Sequence, residues 1–204
     1  MAKIVSFSEA RTKHEKGRPV QVFQIKVTLK GSKPPIWRRL LVPSDISLPD
    51  LHDVFQTAMG WHHCHLHQYM KGNTYYSEPN PEFADDAWFE ILDETKYRLR
   101  DLVVAPKQRC RYEYDFGDGW EHNIMLERIA EADKKYPGHP VCLKGAMACP
   151  PEDCGGIWGY YDLLKVINDP NHPEHEEMKN WLGEFDPTAF DIEDVNRRLA
   201  GMNL

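Results

Sequence analysis

Four sets of residues in this chain have types and spacings that could do chemistry. His63, His65 and His67 alternate in WHHCHLHQYM. On an extended strand such side chains stand on one face roughly 6 to 7 Å apart, so His65 and His67 could share one metal ion. Asp115, Asp118, Glu121 and His122 fall within YEYDFGDGWEH. Crowded carboxylates push each other's pKa values apart and can hold a cation or share a proton, and His122 could serve them as a general base. Cys142, Cys149 and Cys154, separated by six and four residues, could offer three thiolates to zinc, with His139 or a distant histidine as fourth ligand. Glu152 and Asp153 stand just before Cys154. Trp37-Arg38-Arg39 could stack on and clamp a phosphate, and Trp120 with Glu121 could present a ring and a charge to a partner.

Each set also has an ordinary use. A strand histidine commonly sits on a polar face or is hydrogen-bonded in a core, and His122 could simply be a buried ring bonded to a tyrosine. Aspartate beside glycine is what a tight turn prefers. Cysteine is among the most frequently buried small residues, and arginines beside a half-buried tryptophan usually face water.

The elements that must position these residues can be read from periodicity. Tyr112, Tyr114 and Phe116 alternate with Arg111, Glu113 and Asp115, which predicts a half-buried strand ahead of a turn at Gly117-Asp118-Gly119. A three-residue loop would pair Phe116 with Trp120, Tyr114 with His122, Tyr112 with Ile124 and Cys110 with Leu126, giving one apolar face. Asp115, Asp118 and Glu121 would then crowd the outer side of the tip. Val20 to Leu29 and Ile36 to Val42 read as a hairpin. A helix over 48–59 should follow, capped by Ser47, with Leu51, Val54, Phe55 and Ala58 on its inner face and Gly60 at its end. Trp61 to Met70 reads as a strand, Thr74 to Tyr76 as a short one, 78–87 as an acidic, proline-rich loop, and Trp88 to Leu92 and Tyr97 to Val104 as short elements. Three helices are expected near 159–168, 174–182 and 191–199.

This pattern is α+β: a β-grasp-like mixed or antiparallel sheet with a packed N-terminal helix and a C-terminal helical segment. The expected organisation is a lead-in over 1–18 and one domain over 19–204. Within it, 19–135 form the sheet core, 136–157 a Cys/Pro-rich loop, and 158–204 a helical appendage.

Composition narrows the class. Hydrophobic content is 41% and aromatic content 11%, values of a folded chain. There is no 18-residue apolar run and no signal-type segment near Met1, so a cytoplasmic protein away from membranes is expected. Five cysteines fit reduced thiols, with zinc as the metal they could hold, better than a disulfide framework. Charge is split: residues 1–40 carry a balance of +8 and residues 41–204 one of −15. The basic N-terminal arm could touch a protein or nucleic-acid partner, or complement the acidic remainder of its own chain.

The segments KPPIWRRLLVPSD, MGWHHCHLHQY, YEYDFGDGWEH, CPPEDCGG and DPNHPEHEEM with FDPTAFDIEDVNRRL occur in an order that resembles the plasmid Ri ORF-three-like family. Its uncharacterised members resemble passenger proteins of plasmids and insertion sequences, and some carry a "TnpR" label. The resemblance implies a compact α+β fold of unassigned role and brings no catalytic residues to transfer. Two functions follow from the residues. One is a binding or adaptor module presenting the hairpin tip and the basic arm. The other is a metal-dependent hydrolase or nuclease using His65, His67, Asp115, Asp118 or His122 around one ion.

Overall fold

The computed structural model describes residues 21–79, 90–132 and 136–204. The expected lead-in 1–18, with half of the basic arm, lies outside the described residues, as do most of the loop 78–87 and the start of the strand expected from Trp88.

Period-two alternation in QVFQIKVTL becomes strand β1 (Gln21–Leu29), which buries Phe23, Ile25, Val27 and Leu29 on one face. Strand β2 (Trp37–Pro43) returns beside it and buries Arg38, Leu40 and Val42. Helix α1 (Leu48–Met59) starts where Ser47 Oγ accepts the Asp50 N–H at 3.1 Å, carries Pro49 in its first turn, and stops at Gly60, whose φ of 99° is left-handed. It lays Leu51, Val54, Phe55 and Ala58 onto the sheet, as the helical spacing requires.

The remaining strands are β3 (His67–Lys71), β4 (Thr74–Ser77), β5 (Glu90–Asp93), β6 (Arg109–Tyr114), β7 (Trp120–Glu131) and β8 (Val141–Ala146). A 3-10 turn at Glu94–Lys96 and helix α2 (Leu99–Leu102) lie between β5 and β6. The eight-stranded sheet runs β5-β4-β3-β6-β7-β1-β2-β8, antiparallel except for the β4/β5 pair. The architecture is α+β. The opening hairpin and helix that suggested a β-grasp are present, but β1 is antiparallel to both its neighbours within a larger sheet.

Three expectations need correction. First, β6 and β7 pair Tyr114 with Trp120 and Tyr112 with His122, so the loop holds five residues, not three. A shift of two keeps the paired residues of both strands on their expected faces, so Tyr112, Tyr114 and Trp120 are buried, but within the loop Phe116 is 47% exposed and Asp115 turns inward. The loop is longer because Asp115 leaves the ladder: it adopts φ 58°, and its N–H donates to the Leu66 carbonyl at 2.8 Å. Second, 61–66 are not strand, so His63, His65 and His67 do not share a strand face. Third, 136–157 is more than loop. Strand β8 pairs with β2, and Asn196 of the last helix closes its outer edge, accepting from the Cys142 N–H at 2.7 Å and donating to the Cys142 carbonyl at 3.0 Å.

Helices α3 (Gly156–Asn168), α4 (His175–Leu182) and α5 (Ile192–Ala200) are correspondingly no appendage. Tyr160, Val195 and Leu199 enter the same core as the sheet.

Candidate metal centre

Three segments distant in sequence meet at the β6–β7 tip. The loop after α1 supplies His65, the tip supplies Asp115, and the chain between β8 and α3 supplies Glu152 and Asp153. His65 Nε2 lies 3.2 Å from Asp153 Oδ1, 3.4 Å from Glu152 Oε2 and 3.8 Å from Asp115 Oδ2. It is shielded from solvent yet aligned for a hydrogen bond with none of them. Donor atoms about 2.1 Å from one ion stand roughly 3.0 to 3.4 Å apart in octahedral or tetrahedral geometry, so these separations are close to those of a coordination shell. His65, Asp115 and Asp153 bring their ligand atoms within 4.8 Å of one another.

The surroundings hold this arrangement in place. Tyr114 Oη donates to Glu152, 3.0 Å from Oε2 and 3.2 Å from Oε1, and accepts from the Cys64 N–H at 3.0 Å. Glu152 Oε1 also accepts from the His62 N–H at 2.6 Å, and Trp61 Nε1 donates to the Pro150 carbonyl at 3.1 Å. Asp115 Oδ1 takes the Gly117 N–H at 2.9 Å, which turns Oδ2 toward His65. Asp118 is not part of that group and accepts from the Gly155 N–H at 3.1 Å. The tip approaches the next chain so closely that a Cβ on Gly156 would stand 2.3 Å from the Asp118 carbonyl oxygen, so only glycine fits there. Asp153, 72% exposed at its side chain, leaves one flank of the cluster open to water.

His67 belongs to a second cluster on the other side of the same loop. Its ring stacks on His52 of α1 at 3.6 Å between centroids, and its Nε2 lies 3.1 Å from Glu94 Oε2, a carboxylate with a side chain only 4% exposed. His63 faces Asp53 at 3.3 Å. His52 Nδ1 lies 2.7 Å from Tyr112 Oη, and Gln56 Nε2 donates to the same hydroxyl at 3.1 Å. Gln56 Oε1 is taken by the His63 N–H at 3.0 Å, so its NH2 must face Tyr112. The Tyr112 proton then goes to His52 Nδ1, and the His52 proton sits on Nε2. Burial, then the charges of His67 and His63, push the His52 ring down to about 2, so it stays neutral. His52, Asp53 and His63 also gather within 4.8 Å.

The other expected residues go elsewhere. Glu121 is drawn to Lys30 at 2.9 Å and Arg111 at 3.4 Å, so the three acids of the tip do not crowd together. His122 is fully buried against Trp61 and Tyr112, and burial lowers it to about 4. Trp120 is core. Arg39 forks onto Glu127 at 2.6 and 2.9 Å, with Trp37 beside it. Cys142, Cys149 and Cys154 are unpaired thiols, and burial raises all three. Among the described residues the cysteines take part in no grouping of three ligand atoms within 4.8 Å, and His139 turns its Nδ1 to the Pro140 carbonyl. The sequence did not single out His52, Asp53 or Glu94. The only trace of His52 was its spacing of four from Gln56 beside the apolar stripe of α1.

An eight-stranded α+β sheet with a histidine and acid cluster at one hairpin tip is the class these features define. The chain belongs to the plasmid pRiA4b ORF-3-like protein family, whose pattern matches residues 21–194. It is 36% identical over 179 residues to the uncharacterized protein y4hQ of Sinorhizobium fredii, an alignment covering 86% of this chain and 89% of that protein. It also resembles the crystal structure of MM3350, a protein of unknown function from Methanosarcina mazei. The TM-score is 0.77 at 34% identity, over 87% of this chain and 98% of that one.

Proposed function

We propose that this protein binds one divalent first-row cation through His65, Asp115 and Asp153, with Glu152 held beside them by Tyr114, and uses it for hydrolysis. One observation carries the reading: a water-shielded imidazole nitrogen faces three carboxylate oxygens at 3.2 to 3.8 Å without a hydrogen bond to any. Three carboxylates crowded on one ring repel one another unless a cation lies among them. One nitrogen with oxygen donors suits manganese, iron or zinc better than a thiolate-preferring ion. A cation held there would lower the pKa of a bound water and polarise a substrate oxygen, and the exposed flank at Asp153 supplies room for both.

The test is metal analysis of protein purified without added metal, followed by titration of the chelator-treated chain with manganese and zinc. One equivalent per chain is expected in the native protein, and none in His65→Ala. Absence of binding by the native chain at millimolar ion would end the reading.

A binding role has its own support: Leu66 and Phe116, exposed beside the cluster, offer apolar contact to a protein partner. A low-salt gel shift with DNA or RNA tests the nucleic-acid version; unchanged migration removes it. Unpaired thiols support a reducing compartment such as the cytoplasm. Among the described residues no helix is long and apolar enough to cross a membrane.

A further inference from the structure

Arg38 is a cation placed where a cation is costly. It lies on the core face of β2 with 2% of its surface exposed, and among the described residues it forms no ion pair. Nε donates to the Ala58 carbonyl at the end of α1 at 2.9 Å, and Nη1 to the Trp37 and Ala146 carbonyls at 2.9 and 3.0 Å. The Phe190 ring lies 4.2 Å from the guanidinium carbon. These contacts fix the fork and take three of its N–H groups. Nη2 has no hydrogen-bond partner among the described residues. The helix end and the carbonyls supply only partial charges, and the nearest thiols, Cys142 and Cys149, are held protonated by burial. Burial also lowers Arg38 itself, so its charge is not fully compensated at rest.

The same residue lines a cleft of about 380 Å³ between the end of α1, the loop 148–152 and α5. Trp61 and Glu152 line it too, so the cleft adjoins the His65 cluster through Glu152. Its other acids are engaged: Asp191 caps α5 through the Glu193 and Asp194 N–H groups, and Asp194 is bridged by Arg197 and Arg198.

We infer that this cleft is an anion subsite in which Arg38 Nη2 receives a phosphate or carboxylate group of a small ligand. As a statement about substrate class it rests on the hydrolytic reading above: the substrate would carry its acid group against Arg38 and its scissile bond toward His65. As a statement about binding it needs no metal, so it is tested on chelator-treated full-length protein.

Inorganic phosphate and acetate are titrated separately, with the heat of binding as the readout. Saturable binding of at least one anion is expected, and which of them binds identifies the acid group. Arg38→Gln should weaken it tenfold or more. Because Arg38 also ties α1 to β2 and β8, Ala189→Trp provides a second variant: Ala189 is an exposed residue of the cleft wall, and a larger side chain there takes up cleft volume while Arg38 itself is kept. It too should lose binding while unfolding like the native protein. Failure of both anions to saturate, or binding unchanged in Ala189→Trp, overturns the subsite. Anion binding by a chain that takes up no metal would uphold it and count against the hydrolytic reading alone.

Discussion

Two histidine clusters flank one short loop, and the balance of charge separates them. On the inner side three imidazoles have one partner each: His52 with Tyr112, His63 with Asp53, His67 with Glu94. On the outer side one imidazole, His65, faces three carboxylates. The first arrangement gives each ring one facing group, although His67 Nε2 and Glu94 Oε2 form no aligned hydrogen bond, and a metal on His52 would have to displace the Tyr112 hydrogen bond or move the His52 proton. The second sets three carboxylates around one imidazole nitrogen, an excess of negative oxygen that a cation relieves. Counting ligand-type residues does not distinguish the clusters, because each offers three ligand atoms within 4.8 Å. Counting partners does.

The largest effect should come from exchanging the two sides. His65→Ala is expected to weaken metal binding more than a hundredfold, and His63→Ala by less than threefold, measured by titration of chelator-treated protein. Equal losses would mean that the loop, and not the outer cluster, holds the ion.

Acid should strike the buried rings next. His52 and His122 are lowered in the native state to about 2 and about 4, against about 6.5 when unfolded. Below pH 6.5 the unfolded chain takes up protons that the native chain refuses, so stability falls with pH, by about 2 kcal/mol per ring at pH 5. His122 stops contributing further below about pH 4, while His52 continues toward pH 2. His122→Leu should roughly halve the slope between pH 6.5 and 5, above the range where Glu121 and Glu127 begin to protonate. An unchanged slope in denaturant melts would show that His122 is not held neutral.

Tyr114→Phe comes third. The hydroxyl positions Glu152 and carries no charge of its own, so its loss should cost ten- to a hundredfold in metal affinity. The Arg38 anion subsite should be unmoved by it.

How much of this was legible in the sequence follows from which interactions are local. The aromatic face of the hairpin was, because a two-residue error in register preserves the alternation that buries Tyr112 and Tyr114. The same alternation misplaced Asp115, predicted to face outward with Glu113. One left-handed residue reverses the parity, and the reason for it, the Leu66 carbonyl, lies about fifty positions earlier in the chain. His65 and Asp115 were both named and do meet. Glu152 and Asp153 stand out in the sequence only as acids beside Cys154, because their approach to His65 depends on Gly156 letting the tip pass within backbone contact. Glu94 sits in a run of charged residues whose local pattern gives no sign of burial. Its partner His67 was expected beside His65, and two residues of irregular chain in place of a strand send the two rings to opposite sides.

The smallest predicted effect tests the inner cluster on its own terms. Tyr112→Phe removes one oxygen at the centre of the sheet, with hardly any change of volume. It strands two groups: Gln56 Nε2 loses its acceptor and His52 Nδ1 loses its donor, both in buried surroundings. The expected cost is about 1 to 2 kcal/mol in denaturant unfolding, below the sum for two orphaned groups because His52 can exchange its proton to the other nitrogen. That exchange frees Nε2, so the variant also asks whether the inner rings refrain from binding metal only because Tyr112 fixes the tautomer. A second equivalent of zinc in Tyr112→Phe, absent from the native chain, would locate the difference between the clusters in that single hydroxyl. An unchanged stoichiometry would locate it in the pairing of His63 with Asp53 and His67 with Glu94, which the substitution leaves intact.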